Sequence, residues 1–229
     1  MGKGNVFDYF KKGFTLANKS LDIFLIALTL SILSEFSGLL KGNALIGSAV
    51  QAAGILISFV WFGFIFSLPL FLKERQEGKP LKLSYIFSFL WDNVKKMILP
   101  SLVIGSIIAL VFFTLFLIFQ FIFNAVQSPA FYITLFALIA GFMPFISFGP
   151  IYFSLEKNNF YKAVQKSCSL SLKNLNFVAI IFLFYSLIFL IFGLLSIDKN
   201  LRQLITLVIF NYGMLVVFAS SLIFFLKKK

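Results

Sequence analysis

The chain has no histidine, a single cysteine, six prolines and only eight carboxylates in 229 residues. Each shortage removes a class of chemistry. Without histidine, Ser-His and Cys-His nucleophile pairs and two-histidine zinc helices cannot form, and no Walker loop or dinucleotide fingerprint is present. The carboxylates stand apart from one another in sequence, so no acid–base pair or metal cluster is legible and no cofactor is expected. Cys168, the lone cysteine, excludes an internal disulfide and reads as a small apolar helix residue. The expectation is a protein that is not an enzyme.

Charge is also missing over long stretches. Residues 97–155 form a run of 59 without one charged side chain, and 42–72, 174–197 and 203–226 are equally free of charge. What fills these runs is 60% hydrophobic residues overall, 34 phenylalanines among them, with a mean hydropathy of +1.00. Soluble domains are only ~45–50% apolar, and ~20 apolar residues cross ~30 Å of hydrocarbon as a helix. Strands are not expected, since membrane barrels show short alternating segments and not unbroken apolar runs.

The sequence therefore predicts an all-α, polytopic bundle of six transmembrane helices, a single integral membrane domain over 1–229. The spans are about 21–40, 49–72, 98–124, 130–153, 176–196 and 203–226. Asn124–Pro129 breaks the long run into a hairpin, because its polar residues and proline oppose helix continuation. A Gly-rich loop, Gly42–Gly47, joins the first two spans. The first apolar stretch has the length of a full span and no small-residue cleavage pattern follows it, so it is expected to be retained.

Lysine and arginine set the orientation. Seventeen of the 20 lie in residues 1–20, 73–97, 154–175 and the tail Lys227–Lys229, all on one side of a six-span plan; the others are Lys41, Lys199 and Arg202. The positive-inside rule makes that side the cytoplasm, with both termini inside a multi-pass plasma or inner membrane. The formal charge of +12 then faces anionic lipid headgroups, the expected partners. Nucleic acid is not expected, because the basic residues are divided among four loops and form no stripe with exposed aromatics.

Self-similarity adds a repeat plan. FGFIFSLPLFLKE (62–74) aligns with MPFISFGPIYFSLE (143–156), placing Pro69 on Pro150 and Glu74 close to Glu156. YFKKGFTLANKSLDIF (9–24), YIFSFLWDNVKKMI (85–98) and AVQKSCSLSLKNLNF (163–177) begin at near-equal spacing. The plan is three copies of surface helix, span, span, over approximately 5–72, 80–153 and 158–226. Phe7, Phe10, Phe14, Ala17 and Leu21 recur at helical spacing, as do Ile86, Leu90, Val94 and Met97. Such helices lie in the interface with the apolar face down, or else are the cytoplasmic ends of long tilted spans. Gly13, Lys19 and Asp22 make a continuous buried helix costly and favour the first reading.

The segment PIYFSLEKNNFYKAVQKSCSLSLKN (150–174) carries a resemblance. Pro150, Glu156, Ala163, Lys166, Ser167, Leu170 and Lys173 stand where a proline-ended span, a glutamate and an Ala-x-x-Lys/Arg-Ser-x-x-Leu helix stand in a group of bacterial membrane proteins. That group is related to the membrane domain attached to some glycerophosphodiester phosphodiesterases. The resemblance implies a six-span fold; the phosphodiesterase catalytic domain has no counterpart here.

Two intramembrane features are candidate functional sites. Glu35 is the ionisable residue well inside a span, at ~2.5–3.5 kcal/mol on insertion scales, and Asn211 lies at similar depth with Gln120 and Asn124 toward the outer end. These four form either an outward-opening polar pocket or ordinary helix-to-helix hydrogen bonds. The second feature is GFMPFISFGP (141–150), where Gly141 and Gly149 allow close packing and Pro144 and Pro150 remove backbone donors. With Pro69 it reads as a bend shared by the even-numbered spans, or as a substrate-gating hinge. The functional expectation is a noncatalytic membrane protein in envelope or lipid organisation. Its alternative is the membrane subunit of a permease that docks a separate ATPase through a coupling helix in 78–97; a small-solute channel would need a polar stripe that the apolar runs do not supply.

Overall fold

The structure, a computed structural model, describes residues 5–39, 44–79, 147–157, 159–194 and 199–228, with scattered helical positions between 88 and 134. Among the described residues every regular element is helical: α1 (Val6–Asn18), α2 (Leu21–Leu39), α3 (Ala44–Gln76), α4 (Gly149–Leu155), α5 (Phe160–Lys173), α6 (Leu175–Leu194) and α7 (Lys199–Lys228). Helices thus cover four of the six expected spans; of 98–124 helical positions are described in part, chiefly 113–121, and 130–153 falls largely outside the described residues. Leu204–Lys228 is long and apolar enough to cross a membrane unaided. α1 with α2, and α5 with α6, meet the same test only as bent pairs, turning through 79° and 100°.

The two bent pairs are built with the same parts. Asn5 and Asn159 cap α1 and α5, each amide oxygen accepting from a first-turn backbone N–H, Phe7 at 3.2 Å and Lys162 at 2.9 Å. At the other end Ser20 donates its hydroxyl to the Leu16 carbonyl at 2.8 Å, and Asn174 donates its amide to the Leu170 carbonyl at 2.8 Å. Each bond occupies a carbonyl that the helix end would leave unpaired, so the chain can turn sharply without stranding a backbone group. The correspondence runs through the interiors, where Tyr9, Gly13 and Ala17 match Ala163, Ser167 and Ser171, all buried. Every matched pair, from Asn5 and Asn159 to Ser20 and Asn174, is 154 positions apart.

α1 docks along the last turns of α7, and Gly13 permits it. A Cβ at Gly13 would lie 2.0 Å from Ser220 Oγ and 2.7 Å from the Ser220 backbone nitrogen, so only glycine fits the crossing. This corrects the expected lipid-facing stripe. Ala17 of that stripe is fully buried and Phe10 partly so, whereas Phe7, Phe14 and Leu21 are 67%, 50% and 51% exposed. The apolar arc of α1 is wide enough to be divided, one part taken by α7 and the other left outward. The matching stripe Ile86–Met97 lies outside the described residues.

One aromatic cluster ties these elements together. Tyr9 of α1, Phe148 at the head of α4, Phe177 of α6 and Phe224 of α7 converge, with Phe177 stacked on Phe224 at 4.4 Å and Tyr9 edge-on to Phe224 at 5.2 Å. Such ring pairs add ~0.5–1.5 kcal/mol each beyond the area they bury. α2 and α3 form an antiparallel hairpin fastened at its base by an ion pair between Asp22, in the first turn of α2, and Arg75, in the last turn of α3. α3 begins at Ala44, earlier than the expected loop allowed, because Ala44 and Leu45 are strong helix formers. After α3 the chain turns at Gly78, φ +76°, where Glu77 accepts from Lys79 at 2.7 Å. The bond and charge of Lys79 hold the exposed Glu77 carboxyl below its usual pKa.

Candidate functional site

Of the four expected polar residues, the side chains of Asn211 and Gln120 are described. Asn211 is fully buried on α7, donates to the Leu207 carbonyl at 2.7 Å and accepts from the Ser31 hydroxyl of α2 at 3.1 Å. Glu35 stands one turn beyond Ser31 on α2, but its side chain lies outside the described residues. Gln120 sits exposed on a helical stretch, and Asn124 is outside the description. Among the described residues, the contact at Asn211 is a helix-to-helix hydrogen bond between α2 and α7. Ser31 was missed because a serine in an apolar run reads as a neutral helix residue that bonds its own backbone.

The proline residues also part company. α3 runs as helix across the buried Pro69. Pro150 instead occupies the first turn of α4, after a turn at Ser147–Phe148. There its fixed φ is already helical and its missing N–H has no partner to lose within α4; the residues before Ser147, on which a bend would turn, lie outside the described residues. Gly149 is corrected: a Cβ there would meet nothing within 4 Å, so close packing does not require glycine. Gly141 and Pro144 lie outside the described residues.

The residues of the 150–174 segment do assemble. Glu156, at the C-terminal end of α4, accepts from Lys166 of α5 at 2.7 Å, with the Glu156 side chain only 17% exposed. Lys166 also lies 5.5 Å from the Tyr152 ring centre. Ala163 and Ser167 are fully buried, Ala163 packing with Phe66 and Phe153, while Leu170 is half-buried and Lys173 exposed. Proline, glutamate and small-residue helix thus make one junction that fixes α5 across the end of α4.

α1, in turn, borders a cavity. It measures about 400 Å³ and lies between α1 and the C-terminal ends of α3 and α7. Lys12, Lys19, Arg75 and Lys227 line it, over apolar walls that include Leu16 and Ile223. The Arg75 Nε–H is buried without an acceptor among the described residues, although the guanidinium's other arm holds Asp22. Lys227 lies 5.3 Å from the Tyr9 ring centre. Three lysines around a concavity, with no carboxylate partner among the described residues, attract an anion; no described cluster of three His, Cys, Asp or Glu residues offers a metal site.

No protein family, characterised protein or solved structure matches the chain.

Proposed function

We propose that this is a noncatalytic integral membrane protein of six spans that organises lipid at the cytoplasmic face of the cell membrane. Three copies of surface helix, span, span build it. The observation that carries the reading is the pair of near-right-angle turns, 79° and 100°, each joining an amphipathic helix to an apolar one. A helix that leaves a span at such an angle lies along the membrane surface, with its lysines toward the headgroups and its remaining apolar residues toward the acyl chains. α1 fits that placement, with Lys11, Lys12 and Lys19 exposed on one arc and Phe7 and Phe14 on another. The constant spacing of 154 between matched parts of α1 and α5 is twice the repeat length read along the chain. The Lys166–Glu156 junction gives the likeness to the phosphodiesterase-associated membrane domains a structural role, holding a surface helix in place.

The reading is tested by purifying the protein at natural abundance from its own membrane in nanodiscs and quantifying everything that accompanies it. Enrichment of lipid over bulk composition with no stoichiometric protein supports lipid organisation. A stoichiometric ATPase would overturn it in favour of a permease subunit.

A further inference from the structure

The two surface helices share their lysines as well as their caps. Lys12 and Lys19 of α1 match Lys166 and Lys173 of α5 at the same separation of 154, and all four are exposed. Their surroundings differ in one respect. Lys166 meets Glu156, the residue that ends α4, at 2.7 Å. Lys12 meets the end of α7, where the corresponding exit carries Lys227 and Lys228. Among the described residues no carboxylate pairs with Lys12, Lys19 or Lys227, and the space between them is the 400 Å³ cavity.

We infer that this cavity is a discrete binding site for the phosphate headgroup of an anionic phospholipid, which supplies from the membrane the negative charge that Glu156 supplies within the chain. The inference rests on the proposed placement of α1 at the membrane surface. Phosphate chemistry follows from the lining: Lys12, Lys19 and Lys227 each present an ammonium group, beside an Arg75 whose charge is met by Asp22. The lipid source follows from the same lining: Leu16, Ile223 and Leu226 give the cavity apolar walls beside its lysines. Basic pockets at the cytoplasmic ends of membrane helices are suited to such headgroups.

The test measures phosphatidylglycerol and phosphatidylcholine retained per chain by native mass spectrometry of the full protein in mild detergent. Wild type should retain one phosphatidylglycerol and exchange phosphatidylcholine freely. Lys12→Gln should weaken retention about fivefold, and Lys227→Glu, which gives Lys12 the partner Lys166 already has, about 25-fold. Both substitutions are at exposed positions, and unchanged unfolding midpoints in lipid-free detergent separate lost binding from lost fold. Equal retention of phosphatidylcholine, or full retention by folded Lys227→Glu protein, overturns the inference. Displacement of the lipid by millimolar inorganic phosphate would overturn the lipid as the source. Labelling of Cys168 by an impermeant maleimide, in everted and right-side-out vesicles, tests the underlying placement separately. Reaction in everted vesicles with no lipid retained would sink this site alone, whereas reaction only in right-side-out vesicles would sink the orientation with it.

Discussion

The α1–α7 and α5–α4 junctions use one backbone design for opposite electrostatic ends. Both α1 and α5 start at an asparagine cap, bury a stripe of small or aromatic residues and stop where a polar side chain reaches back four residues to a carbonyl. At α5 the exposed lysine is neutralised by Glu156; at α1 its counterpart faces lysines and an open cavity. Backbone geometry is thus set by caps and small residues, and charge is a separate layer that can vary over the same scaffold.

The largest effect is expected from the packing layer. Gly13→Val places side-chain atoms on the Ser220 backbone, and should cost about 3 kcal/mol, read as a fall in the unfolding midpoint in detergent. Gly149→Ala, with open space around it, should stay within about 0.5 kcal/mol. Equal costs at the two glycines would remove the close crossing from the account. Next comes the charge layer. Glu156→Lys turns the α5–α4 junction into a copy of the other, and should cost about 1–2 kcal/mol, kept modest because Lys166 is 48% exposed. It should also add retention of a second anionic lipid.

Smaller effects probe the turns and the spans. Ser20→Ala and Asn174→Ala each remove the side chain that occupies a helix-end carbonyl, and about 1 kcal/mol is expected from each. Similar losses sharpen the likeness of the two junctions; a loss at one site alone breaks it. Ser31→Ala should cost only about 0.6 kcal/mol, the ordinary worth of an interhelical hydrogen bond in a membrane.

These contrasts also mark what the sequence could and could not reveal. Helices over four expected spans, and the break between an amphipathic and an apolar helix near Lys19 and Asn174, follow from hydropathy, periodicity and local polar residues. Those are properties of a single segment. Gly13 was legible as a helix weakness but not as a contact, because its reason lies at Ser220, more than 200 positions away. That Pro150 stands in the first turn of α4 was not legible, because a proline inside a helix and one that begins a helix look alike until the preceding turn is known. The cavity escaped notice for the same kind of reason: Lys12, Arg75 and Lys227 belong to three separate basic segments that only the packing of α1, α3 and α7 brings together.

The central claim is that α1 lies along the lipid surface with one arc in the acyl region and one in water. Spin labels at Phe14→Cys and Lys11→Cys in a Cys168→Ser background, reconstituted in liposomes, report it through their accessibility to oxygen and to a water-soluble nickel complex. The account predicts high oxygen and low nickel accessibility at 14, and the reverse at 11. High nickel accessibility at both positions would place α1 in water and contradict it.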